Sequence, residues 1–328
     1  MSHLLVLFLS SALAILVISS GARWISSKRP ARAIPAGSGP ASKSSENRAM
    51  LFAQLRALAS IAFAVVLFLA LLRASIAFTG QVGLPLALTA GLSASGGLLL
   101  YSSLPAPMPP RTGAANASLV PRKPWSFGPR RSFLVPAAIA VCYIGLLVAT
   151  GLTSSPDELG RYRLIRLAEG AHSTSAGPYP GWFYGVPLML VTVALAGAAF
   201  LALRRISSTP SLPDPRMAAL DMQWREISTR VVVRLGTGAL LGYAGGTALL
   251  AGQAVAGAAA NFNQSGHGPL QPLFAVGFAV AVAGPVLVAA GAFLIFLAAK
   301  AAFTIRSSAR HALAKPADQA PTSQGAGA

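Results

Sequence analysis

A chain of 328 residues that is 54% hydrophobic and only 10% charged cannot cover its surface with polar groups in water; a soluble domain carries about a quarter charged residues. Composition therefore excludes an ordinary soluble domain, and a mean hydropathy of +0.62 makes a bilayer the natural surround. The net charge of +18 would suit nucleic acid, but the basic residues lie beside apolar runs, so the lipid bilayer is the expected partner and nucleic acid is not.

A crossing helix needs about 20 mostly apolar residues. Seven stretches qualify in chain order: His3–Ser20, Ala57–Phe78, Leu84–Leu104, Phe133–Leu152, Phe183–Leu203, Val231–Ala260 and Leu273–Phe303. The expected fold is all-α, a polytopic integral membrane helical bundle of about seven transmembrane helices. Twenty-two of the 26 Lys and Arg residues fall in or beside residues 21–56, 105–132, 204–230 and 304–328. Basic excess marks the cytoplasmic side, which places the N-terminus outside and the C-terminus inside.

The first stretch, "MSHLLVLFLSSALAILVISSGARW", lacks a basic region before its apolar run, and its basic residues follow it. It reads as a retained N-out anchor; the alternative is a cleaved signal with small residues at Ser20–Ala22. Residues 21–56 form a basic cytoplasmic loop, expected to be partly disordered because "SSKRPARAIPAGSGPASKSS" has little to bury. The hairpin of the second and third spans follows, with Arg73 near its outer end, where its stem can snorkel. The Pro-broken basic loop 105–132 leads to the fourth span.

Between the fourth and fifth spans, "SSPDELGRYRLIRLAEG" carries Ser155, Pro156 and Glu158 as a capping box and Asp157 four residues before Arg161. The pattern predicts an external amphipathic helix over 155–169. Trp182, Phe183 and Tyr184 then read as an interfacial aromatic belt. In the cytoplasmic loop 204–230 a second amphipathic helix is expected over 214–230, with Asp214 as N-cap and Pro215 in the first turn. Met217, Leu220, Trp224 and Ile227 share its apolar face, a candidate docking surface for a cytoplasmic protein. Asp221–Arg225 and Glu226–Arg230 are spaced as exposed pairs worth about 0.3–0.5 kcal/mol each.

In the sixth span Gly238, Gly242 and Gly246 form overlapping GxxxG patterns, suited to packing within the monomer or to a homo-oligomer. Gln253 is its main deep polar group and a candidate intramembrane contact. In the seventh, Gly277, Gly284 and Gly291 recur every seven residues, and Pro285 should kink the helix. Both spans exceed bilayer thickness and should tilt, kink or project. A disordered tail is expected over 304–328.

No Asp or Glu falls inside any of the seven spans, and the chain has no metalloprotease, phosphate-loop or nucleophile-elbow motif. Cys142 is the single cysteine, and His3, His172, His267 and His311 are scattered. No catalytic residue, cofactor or metal site is expected.

"RRISSTPSLPDPRMAALDMQWREISTRVVVRLGTGALLGYAGG" joins a double arginine, Pro-Asp-Pro, Leu-Asp and spaced arginines to a glycine-rich span. That stretch resembles uncharacterised multi-pass membrane proteins of high-GC Gram-positive bacteria, a resemblance that implies no activity. The expected function is a bacterial plasma-membrane protein of permease-like or accessory type. The alternative is a structural or regulatory membrane protein that acts through helix packing and a cytoplasmic partner.

Overall fold

The structure, a computed structural model, describes residues 41–77, 82–104, 123–169, 172–209, 218–264 and 271–314. Among these, six helices are long and apolar enough to cross a membrane. They are α1 (Ala41–Ala77), α2 (Leu84–Ser103), α3 (Arg131–Leu152), α4 (Trp182–Ser208), α5 (Ala218–Gln264) and α6 (Gln271–Ala314). The first expected span, His3–Ser20, lies outside the described residues.

The helices run up and down. Ser60 on α1 donates to the Gly97 carbonyl on α2, and Arg56 to that of Tyr101, an antiparallel register. At the other end of the bundle a small antiparallel sheet joins α3 to α4. Its strands are β1 (Ser155–Pro156), β2 (Tyr162–Glu169) and β3 (His172–Ala176), in the order β1-β2-β3. We call the two ends the sheet end and the basic end.

Burial and hydropathy are inverted relative to a soluble bundle. Only 22%, 17%, 33% and 11% of the apolar windows of α1, α3, α4 and α6 are buried, and these are the most apolar helices. The less apolar α2 and α5 are 72% and 61% buried. Water demands the opposite order, with polar residues outermost. A hydrocarbon surround demands this one.

The 47 residues of α5 give about 70 Å of helix, more than twice the hydrocarbon thickness of about 30 Å. The helix projects. At the sheet end Ala251, Ala254 and Ala258 pack under Ile165 and Tyr179, so the surplus length carries the sheet.

Several sequence expectations change here. Residues 155–156 and 162–169 are strands joined by a turn, not an amphipathic helix. Asp157 closes a turn: its Oδ1 accepts from the backbone N–H of Leu159 and of Arg161, and Gly160 takes φ +71°. That turn starts a hairpin, and β2 pairs with β3 from Ile165↔Ala176 to Glu169↔His172. The Asp157–Arg161 pair does form, across a turn instead of along a helix. The basic loop 21–56 is helical from Ala41, directly after Pro40, where the chain turns to good helix formers. Likewise α6 continues to Ala314, eleven residues into the expected tail, because nothing after Phe303 breaks it before Pro316.

Candidate functional site

The closest helix pair is α5 with α6, and glycines make it so. A Cβ added at Gly238 would stand 2.7 Å from the Gly291 carbonyl oxygen, one at Gly245 2.6 Å from that of Gly284, and one at Gly252 2.5 Å from that of Gly277. Those separations allow no side chain. Both glycine series step by seven, so the register holds over two heptads without slipping, as in a left-handed pair. The structure brings Gly238, Gly277, Gly284 and Gly291 into this seam. It does not so use Gly242 and Gly246, whose added Cβ would meet nothing within 4 Å. Their partners in the seam are Gly245 and Gly252, which share the heptad step with Gly238; that step, not the GxxxG step, was the available signal.

Halfway along the bundle, four hydroxyls tie α3, α4 and α5 together. Thr247 donates to the Tyr243 carbonyl, which leaves the Tyr143 hydroxyl to donate to Thr247 at 3.0 Å. Tyr243 donates to Thr192 at 3.1 Å, and Thr192 donates on to the Leu188 carbonyl. The two tyrosine hydroxyls thus donate to threonines and the two threonines to backbone carbonyls, and the two rings meet edge to face at 5.3 Å. Gln253 takes no part. It is exposed on α5, close to the turns that carry the sheet, and is no buried contact between helices.

From this cluster toward the basic end, α3 splays from α4 and α5. At the sheet end they are locked: Gly151 on α3 lies flat against the Trp182 ring, and Leu147 is fully buried. Toward the basic end a cleft of about 680 Å³ opens, within the range of about 300–1,000 Å³ usual for ligand pockets. Its walls are apolar, with Ala137 and Pro136 on α3, Ala196 and Leu203 on α4 and Leu240 on α5. Thr192 and Tyr243 form its inner end, and Trp125 and Arg130 stand at its mouth. Leu134 and Phe200 edge it with exposed apolar surface, 65% and 47% accessible, so it opens sideways.

At the basic end the expected docking face is turned inward. Trp224 and Ile227 are buried in the chain's own core, so they are not a free surface for a partner. Asp214, Pro215 and Met217 lie outside the described residues, as does the side chain of Leu220. The Asp221–Arg225 pair is not the exposed pair expected. The Arg225 guanidinium is fully buried, bonds Asp221 at 2.9 Å, and reaches the Ile206 and Thr209 carbonyls at the end of α4. Those carbonyls have no partner within their own helix, so Arg225 caps α4 from α5. Trp224 also donates to Asp221, and the rings of Trp224 and Phe127 face the guanidinium at 4.9 and 5.3 Å. Glu226–Arg230 is exposed as expected.

At the sheet end, partial burial pushes the Asp157 carboxyl up, but hydrogen bonds from Arg163, from Arg161 and from the Leu159 backbone outweigh it and hold the group well below the usual carboxylate range. Tyr184, expected in an aromatic belt, is buried and donates to the Val82 carbonyl at 2.6 Å, which ties α4 to the start of α2.

The fold is a helical bundle whose six described long helices are apolar enough to cross a membrane, with a cleft in its flank and a small sheet at one end. Compared with protein-family models, with curated proteins and with solved structures, the chain matches none.

Proposed function

We propose that this chain is a bacterial plasma-membrane protein of accessory type, with its N-terminus outside and its C-terminus in the cytoplasm. Its working part is the cleft between α3, α4 and α5, which takes the tail of a lipid-like amphiphile. The cleft itself carries the reading: it is apolar, opens sideways between exposed apolar rims, and extends from the basic end to mid-bundle. Water held there would find few polar partners, whereas a hydrocarbon tail needs none.

A permease for polar solutes is less well supported. The hydroxyls at the inner end already donate within the protein, Tyr243 to Thr192 and Thr192 to the Leu188 carbonyl. No carboxylate follows Glu226 on α5, and α6 has none at all. A docking role for the helix around Trp224 loses its apolar face to the core.

The test is photolabelling of the full-length protein, reconstituted with a phospholipid that carries a diazirine in its acyl chain. Label should concentrate on α3 and α4 peptides that line the cleft. Ala137→Trp and Ala196→Trp, which fill the cleft from opposite walls, should each reduce it several-fold. Label spread over α1 and α6, and indifferent to both substitutions, would count against the proposal.

A further inference from the structure

Among the described residues, the buried side-chain polar atoms that lack a hydrogen-bond partner all lie toward the basic end: Arg56 Nη1, Arg205 Nε, Gln223 Oε1, Ser228 Oγ and Thr229 Oγ1. Two of these five belong to arginines on different helices, and they carry a shared deficit. Arg56, on α1, is 4% exposed. Its Nε and Nη2 both donate to the Tyr101 carbonyl, at 2.9 and 2.6 Å, and its plane lies 4.1 Å from the Tyr101 ring. Nη1 is left with nothing. Arg205, on α4, is close enough for its charge to act on Arg56, and its Nε is buried and unpartnered.

Among the described residues, neither arginine is paired with a carboxylate. Arg225, equally buried, is matched by Asp221; Arg161 and Arg163 share Asp157; Arg230 has Glu226. Two like charges with idle donors, in a poorly hydrated place, need an acceptor with negative charge and several oxygens. A guanidinium fork fits a phosphate oxygen pair, and two forks from two helices fit a tetrahedral oxyanion.

We propose that Arg56 and Arg205 form a binding site for a phosphate-class oxyanion, either the headgroup of an anionic lipid or free phosphate. The bound group bridges α1 and α4, helices that otherwise barely touch. Arg56 bonds a carbonyl two residues from the end of α2, and Arg205 is three residues from the end of α4. The Arg56 contact and Arg205 therefore both lie at the basic end, beside the last turns of α2 and α4. The site is separate from the cleft, and neither depends on the other.

The experiment is thermal unfolding of the full-length protein in a neutral detergent. One arm titrates inorganic phosphate against chloride at matched ionic strength; the other compares micelles doped with phosphatidylglycerol or phosphatidylcholine. A saturable stabilisation is expected in at least one arm. With phosphate the ligand is the free anion; with phosphatidylglycerol alone it is the lipid headgroup. Arg56→Gln and Arg205→Gln should each weaken the effect on the order of tenfold, and the exposed neighbour Arg204→Gln should leave it intact. If Arg56→Gln does not fold, Arg205→Gln carries the test, because its side chain is only partly buried. No saturable effect in either arm, or one undiminished by Arg205→Gln, overturns the proposal.

Discussion

Two i,i+4 acid–arginine pairs on one helix have opposite weights. Asp221–Arg225 joins a fully buried guanidinium to a carboxylate that is 11% exposed, and the same guanidinium caps α4. Removal of one partner leaves a buried charge uncompensated, at a cost of about 3–5 kcal/mol. Asp221→Ala should therefore lower unfolding free energy by about that amount in a denaturant titration. Glu226→Ala breaks a pair that is 46% and 49% exposed and should change it by less than about 1 kcal/mol. The spacing of both pairs was legible in sequence. Their difference was not, because the burial of Arg225 comes from Ile206, Thr209 and Phe127, which no local pattern links to it.

Asp157 makes a second prediction, about pH. Its folded value is depressed below the unfolded one of about 3.9. The contribution to stability is therefore complete above about pH 4 and is lost as pH falls further toward the folded value. Exchange protection at the Arg161 amide, corrected for intrinsic rate, should be flat from pH 7 to 5 and fall below about pH 4. Asp157→Ala, which has no acceptor for that amide, should be unprotected throughout that range.

Among the elements, the α5–α6 seam bears the tightest constraint. Gly245→Ala places a methyl 2.6 Å from a backbone oxygen that cannot swing aside, and overpacking of this kind costs about 1–3 kcal/mol. Gly246→Ala meets open space and should be neutral, or slightly stabilising through helix propensity. The adjacent pair makes a clean comparison in thermal unfolding. The heptad in α6 was legible from Gly277, Gly284 and Gly291. Its counterpart in α5 was masked by the denser GxxxG pattern, since only a partner's register shows which of several glycine rows is in use. The segment 155–169 misled for a different reason. Its apolar residues satisfy both a helical and an alternating pattern, and the choice was made by pairing with β3 and by the Asp157–Gly160 turn.

At the scale of the whole molecule, composition alone called for a hydrocarbon surround, and the structure adds the spatial form of that demand: the least apolar helices are central and the most apolar are outside. Helices α1 to α6 coincide with six of the seven stretches that hydropathy marked. The cleft had no signature in sequence. It arises because α3 is locked at its sheet end by Gly151 and Trp182 and held at mid-bundle by Tyr143, while small residues on α3 and α4 leave the basic half unfilled. Such a space depends on the angle between helices, which no run of residues encodes. Native mass spectrometry of the full-length protein released from mild detergent reads whether this space holds an amphiphile. A retained adduct of lipid mass is expected on the unaltered chain and should be lost in the Ala137→Trp, Ala196→Trp double variant; a bare chain, or an adduct that survives both substitutions, would show that the cleft holds none.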